Sequence, residues 1–227
     1  NVLWRFAERC GAKGVSLIVS IILARLLMPE AYGTISLVTV FTSILNVFVD
    51  CGMGISLVQK KDADELDFST VFYFNAAICG ILYFVMFLIA PYIAAFYGIS
   101  ELTAVVRVLS LTVVVSGIRN IQQAYVTRNM LFKRFFWATL GGTIGAAIVG
   151  ITMAYLGFGV WALVAQHLFN TIVDTTILWI IVKWRPKKMF SIRRLKGLVG
   201  FGWKIFASSL LGAGYNDIRQ LIIGKLY

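Results

Sequence analysis

Polar side chains recur inside the long apolar runs of this chain, and they recur at helical spacing. Arg9, Lys13, Ser16 and Ser20 stand at steps of 4, 3 and 4, and Thr39, Ser43, Asn46, Asp50 and then Thr112, Ser116, Arg119, Gln123 repeat those steps. His167, Asn170 and Asp174 fall at i, i+3 and i+7, and Ser209, Gly212, Asn216 and Arg219 at steps of 3, 4 and 3. Such steps keep residues on one face of a helix, so five helices would each present a polar stripe, and together the stripes would line a hydrated cavity. Lys13, Arg119 and Arg219 are the deep cations of that cavity, against Asp50 and Asp174. A surplus of positive charge attracts anions and repels organic cations. The candidate binding residues are therefore Lys13, Arg119, Arg219, Asn46, Asp50, Asn170 and Asp174. A second reading stays open: the same groups hold helices together by hydrogen bonds, with Lys13 and Arg119 paired to Asp50 or Asp174 and His167 a packing residue.

Catalytic chemistry has no foothold here. There is one His, and no nucleophile elbow, phosphate loop or zinc motif. Cys10, Cys51 and Cys79 are far apart and lack metal-ligand spacing. The acidic run Asp62, Asp64, Glu65 and Asp67 reads as a solvated helix start, with Asp62 and Glu65 as caps. No cofactor and no enzymatic activity are expected. A membrane glycosyltransferase would require a dedicated carboxylate or metal site.

The elements that must carry the stripes are membrane helices. Of 227 residues 59% are hydrophobic and only 14% charged, against about a quarter charged in an ordinary soluble domain, and the mean hydropathy is +0.85. A membrane helix needs about 20 consecutive apolar residues. Seven such spans are marked: 4–27, 32–57, 68–90, 102–126, 135–155, 160–182 and one beginning near Leu198. The three prolines, Pro29, Pro91 and Pro186, fall at expected boundaries, in keeping with the hydrogen bond that proline removes from a helix interior. The fifth span, with Gly141, Gly142, Gly145 and Gly150 and no charge, reads as a packing helix. The formal charge of +11 does not point to nucleic acid, because the basic residues sit in short clusters between apolar runs. Lys60 and Lys61, then Arg128, Lys133 and Arg134, then the stretch from Lys183 to Lys196 lie on one side, and the positive-inside rule puts that side and the N-terminus in the cytoplasm. No cleavable signal peptide is expected. The fold class is all-α and integral to the membrane: a six-helix N-terminal lobe (1–182), a basic cytoplasmic linker (183–197) and the first helix of a second lobe (198–227).

A repeat supports two lobes. At an offset of 200, Ile21-Ile22-Leu23-Ala24-Arg25-Leu26 matches Leu221-Ile222-Ile223-Gly224-Lys225-Leu226, and Phe6, Ala7 and Gly14 match Phe206, Ala207 and Gly214. Copies six helices apart form a parallel repeat about the membrane normal, one plan of secondary transporters. The chain reads as part of a longer transporter.

Four motifs then point to a family. Ala24-Arg25-Leu26-Leu27-Met28-Pro29-Glu30-Ala31-Tyr32-Gly33, Asp50-Cys51-Gly52-Met53-Gly54 with Leu57-Val58-Gln59, Arg128-Asn129-Met130-Leu131-Phe132-Lys133, and Gly157-Phe158-Gly159-Val160-Trp161-Ala162-Leu163 occur in order along the chain. They resemble bacterial polysaccharide flippases of the Wzx type, in the multidrug/oligosaccharidyl-lipid/polysaccharide exporter superfamily. The resemblance implies two six-helix lobes joined by a cytoplasmic linker. It implies transfer of undecaprenyl-diphosphate-linked oligosaccharide across the bacterial inner membrane by alternating access. The anionic lipid-linked oligosaccharide, membrane lipids and other glycan-assembly proteins are the implied partners, and the cationic cavity suits a diphosphate. A drug/cation antiporter of the same superfamily would share the fold but should have an acidic cavity, and a non-transport scaffold for glycan synthesis would leave the stripes as helix-to-helix contacts. Reporter fusions after Glu101 and after Gly157 should both report the outer face of the membrane; a cytoplasmic signal at either point overturns the span count.

Overall fold

The computed structural model describes the backbone of residues 2–50, 52–60, 62–130 and 132–226, and side-chain surroundings at 11, 13–50, 52–60, 62–130, 139–200 and 202–212. Every regular element among them is an α-helix: α1 (Val2–Leu26), α2 (Pro29–Asp50), α3 (Met53–Gln59), α4 (Glu65–Tyr97), α5 (Leu102–Leu109), α6 (Leu111–Arg128), α7 (Phe132–Tyr155), α8 (Val160–Ile181) and α9 (Ile192–Leu226). Among the described residues, Pro29–Gln59, Glu65–Tyr97, Leu102–Arg128 and Val160–Ile181 are long and apolar enough to cross a bilayer. The other three expected spans, α1, α7 and α9, run into residues whose side chains lie outside the described set. The protein is an all-α integral membrane protein.

Sequence and structure part at four places, each with a physical cause. The third span does not stop before Pro91, because α4 continues through it to Tyr97. A proline leaves the carbonyl four residues back without its N–H, here that of Phe87. Arg107 Nε donates to that oxygen at 3.3 Å, and its guanidinium lies 4.1 Å from the Phe87 ring centroid. The second span is broken after Asp50, where Gly52 takes φ +64°, a left-handed conformation open to glycine without strain. A Cβ there would also run into the backbone of Gly202 on α9. The acidic run caps α4 through Asp64 and Asp67, not through Asp62 and Glu65: the Asp67 N–H donates to Asp64 Oδ1 at 3.0 Å, and the Asp64 N–H to Asp67 Oδ2 at 3.2 Å. Finally, α9 begins at Ile192 rather than near Leu198. Ser191 Oγ accepts the Arg194 N–H at 3.5 Å, so the end of the basic linker is the capped start of α9 itself.

The connection from α8 to α9 is strapped down. Trp184 is buried among Phe68, Phe72 and Tyr125, with ring centroids 5.8 to 6.4 Å away. Its carbonyl accepts from Gln122 Nε2 at 3.1 Å. Further along, the N–H groups of Lys187 and Ser191 donate to the hydroxyls of Ser69 and Thr70 at 3.1 and 3.2 Å. Charge completes the strap. Asp67, fully buried, pairs with Lys60 at 2.5 Å and with Arg194 at 3.2 Å, Asp64 pairs with Arg194 at 3.2 Å, and Glu65 pairs with Lys187. The Asp67 N–H holds the Asp64 carboxyl below the usual carboxylate range, and Arg194 and Lys60 act in the same direction. That part of the cap is therefore complete at neutral pH and is lost only as pH falls below the ordinary carboxylate range.

Two apolar clusters hold the helices together. One gathers Leu23, Leu27, Leu102, Val105, Val160 and Leu163 at the end where α1 meets α2. The other gathers Met53, Leu57, Phe68, Ile121, Leu178 and Leu198 at the basic end. Replacing Asp67 by Ala removes a carboxylate shared by two cations, and a hydrogen bond to a charged group is worth about 1.5–3 kcal/mol. Glu65→Ala removes an exposed pair, worth at most about 1 kcal/mol. Thermal unfolding of the purified protein in detergent should therefore show a clear drop in midpoint for Asp67→Ala and almost none for Glu65→Ala; equal shifts would contradict the strap.

Candidate functional site

A cavity of about 750 Å³ lies between α2, α3, α6, α8 and α9. Its walls run from Thr39, halfway along α2, to Gln59 at the end of α3, and on α6 from Thr112 to Thr127. Four of the five polar stripes contribute: Thr39, Asn46 and Asp50 from the second span, Thr112, Ser116, Arg119 and Gln123 from the fourth, His167 and Asn170 from the sixth, and Ser209 from the seventh.

The charged groups are paired. Arg119 Nη1 lies 2.5 Å from Asp174 Oδ2, joining α6 to α8. Asp174 is only 5% exposed, so its charge depends on that guanidinium. Breaking a buried pair by removing one partner leaves an uncompensated charge. The second carboxylate, Asp50, accepts from Asn120 Nδ2 at 2.8 Å. Asn120 lies beside the stripe that runs through Ser116, Arg119 and Gln123, so spacing alone misses it. The signal that could have found it is Gly54, where a Cβ would stand 3.2 Å from Asn120 Oδ1; the small residue makes room for the amide beside Asp50.

Four of the hydroxyls on the wall are spoken for as donors. Thr39 donates to the Ile35 carbonyl, Thr42 to the Val38 carbonyl at 3.1 Å, Thr112 to the Leu109 carbonyl at 2.5 Å and Thr171 to the His167 carbonyl at 3.0 Å. A hydroxyl that has used its one hydrogen still offers acceptor lone pairs. The cavity thus sets acceptor oxygens beside amide donors on Asn46, Asn120, Gln123 and Asn170, a surface suited to water or to a polyhydroxylated ligand.

Among the described residues α7 supplies no wall, but it sets the position of α8. A Cβ on Gly142 would stand 3.1 Å from Asn170 Oδ1 and 3.3 Å from Asp174 Cβ, and one on Gly145 would stand 2.8 Å from the Phe169 ring. Lys13 is not brought to the cavity. It is exposed on α1, which packs on α7 rather than against the cavity helices α6 and α8. Arg219, like Asn216 and Arg9, lies outside the described side chains. Asp174 is not on the wall itself but buried behind Arg119. The expected cationic surplus therefore reduces, among the described lining, to Arg119 and Asp50.

The family motifs gain physical meaning from this geometry. Asp50, Gly52 and Gly54 form the break between α2 and α3, the contact with α9 and the seat of Asn120. Arg128 Nη1 donates to the carbonyls of Leu57 and Lys60 at 2.8 and 2.5 Å, satisfying acceptors that the end of α3 leaves open. Gly157 and Gly159, at φ +81° and +55°, turn the chain between α7 and α8. Residues 22–227 match the family model described as polysaccharide biosynthesis protein. The chain belongs to that family. It is 26% identical over 211 residues to the succinoglycan biosynthesis transport protein ExoT of Rhizobium meliloti, covering 92% of this chain and 42% of the relative. It is 25% identical over 195 residues to the teichuronic acid biosynthesis protein TuaB of Bacillus subtilis, covering 82% and 38%. To the lipopolysaccharide biosynthesis protein WzxC of Escherichia coli it is 20% identical over 221 residues, covering 94% and 44%. The chain thus spans less than half the length of these family members. No solved structure matches.

Proposed function

We propose that this chain is the substrate-loading half of a bacterial inner-membrane flippase that moves undecaprenyl-diphosphate-linked oligosaccharide outward by alternating access. The observation that carries the reading is the cavity: a membrane protein of a polysaccharide-biosynthesis family holds about 750 Å³ of space walled by amides and hydroxyl acceptors. Sugar hydroxyls both donate and accept, and such a wall meets both needs. The names of the relatives, one a succinoglycan biosynthesis transport protein and one a lipopolysaccharide biosynthesis protein, support the same substrate class.

The cavity wall reaches the basic end of the helices, while the opposite end is packed with apolar side chains. With the basic end in the cytoplasm, this is a loading state. The prenyl chain stays in lipid and the glycan enters water. The diphosphate meets Arg119, whose planar guanidinium grips phosphate oxygens in pairs once Asp174 yields part of its hold. Outward opening comes from rocking of a second lobe against this one. Because residues 184–191 are strapped to α4, the movement falls along α9 rather than in the linker; Gly197 and Gly200 have open space around them.

The antiporter reading, which needs an acidic cavity, has less support: each carboxylate at this cavity already has a partner.

The pair Arg119–Asp174 separates grip from scaffold. Arg119→Ala leaves a buried carboxylate alone, a loss of up to about 3 kcal/mol, and should lower both membrane level and export. Arg119→Gln with Asp174→Asn keeps a neutral hydrogen-bonding pair of similar size and should restore the level, as read by immunoblot. Surface-glycan staining of that double variant should still show no export. Normal export at a normal level would contradict a phosphate grip by Arg119.

A further inference from the structure

The first turns of α9 pose an electrostatic problem that the transport cavity does not resolve. The N-terminus of a helix is its positive end and favours acidic side chains. Here the first turn has none, and the sequence reads Ser191-Ile192-Arg193-Arg194-Leu195-Lys196. Arg194 is offset by Asp64 and Asp67, and Lys60 by the same Asp67. Among the described residues no carboxylate pairs with Arg193. The unbalanced charge stands on a pocket of about 760 Å³, bounded by Ser56, Gln59 and Lys60 at the end of α3 and by Arg193, Arg194, Gly197 and Leu198 on α9.

We infer that this pocket is a second anion site, and that its ligand is a phosphate group at the cytoplasmic membrane surface. Its parts fit that chemistry. Arg193 on α9 supplies the unbalanced charge, Lys60 at the end of α3 stands across the pocket with a charge it shares with Asp67, and the Gln59 amide supplies a neutral donor. Gly197 follows Arg193 by one turn, on the same face, and a Cβ there would meet nothing within 4 Å, so a ligand can approach the backbone. Leu198, buried in the inner apolar cluster, forms an apolar floor against which the glycerol or chain end of a lipid can lie. The strap fixes the pocket's shape, because Asp67 holds Lys60 and Arg194 in place. The phosphate can come from an anionic phospholipid headgroup or from the diphosphate of a lipid-linked substrate waiting beside the central cavity, whose wall Gln59 shares. The site stands on its own residues, whether or not the central cavity carries glycan.

Arg193 is exposed and bears no part of the apolar cores, so its variants should fold. Native mass spectrometry of the purified protein would count retained phosphatidic acid against phosphatidylcholine. The wild type should retain phosphatidic acid preferentially. Arg193→Gln should weaken that retention about five-fold, the weight of one cation near a charged surface, and Arg193→Lys should keep most of it. Displacement by added inorganic diphosphate would assign the site to a phosphate head recognised by itself, as on a lipid-linked substrate. Retention in its presence would assign it to a phospholipid. Equal retention by wild type and Arg193→Gln, or equal retention of the two lipids, overturns the proposal. The Arg119→Gln, Asp174→Asn variant should retain phosphatidic acid like wild type; parallel loss there would show that this is not a separate site.

Discussion

A carboxylate buried away from water inside a membrane protein must have a partner for its charge. Asp174 meets that requirement through Arg119, and much of the arrangement follows from the pairing. The pair joins α6 to α8 beside the cavity that Arg119 lines. Gly142 lets α7 press against α8 at the level of Asp174, which leaves the carboxylate one direction to face. Asp50, exposed on the cavity wall, instead accepts from an amide, and Gly54 gives that amide its room. Polar groups that would be a liability in lipid thus become the lining of one space, because each is turned away from the lipid-facing side chains such as Phe84, Leu88 and Tyr92.

The basic end is organised by a second set of charges. Asp67 caps its own helix and accepts from Lys60 and Arg194, so the end of α3 and the start of α4 meet the distant start of α9 at one carboxylate. Together with Trp184 in its aromatic setting, this fixes the segment between α8 and α9. A segment rich in Lys and Arg is easily read as a loose hinge; here it is clamped.

The helical fold and most of the cavity were legible in the sequence because both rest on periodicity. Long apolar runs mark helices, and polar residues at steps of three and four mark a face. Periodicity says nothing about which way a face turns. That is why Lys13, on a stripe as regular as the others, stands apart from the cavity on a helix packed against α7. It is also why Asn120, off the stripe by one residue, was missed. The helix breaks followed rules that operate in three dimensions. Pro91 is tolerated inside α4 because Arg107 satisfies the carbonyl it frees, and that contact joins residues 20 apart in sequence. The partner of Arg119 could be narrowed to Asp50 or Asp174 from charge alone; only the packing of α7 on α8 decides between them.

The account rests on the cavity being hydrated while the outer surface of α4 lies in lipid. Single cysteines placed at Ser116 and Gln123, and at Phe84 as the lipid-facing comparison, in protein with Cys10, Cys51 and Cys79 replaced, would test this directly. A charged, water-soluble thiol reagent reacts only with thiolate in contact with water. Rapid modification at 116 and 123 with none at 84 is the predicted result. Protection at both cavity positions, or modification at 84 as fast as at 116, would contradict it.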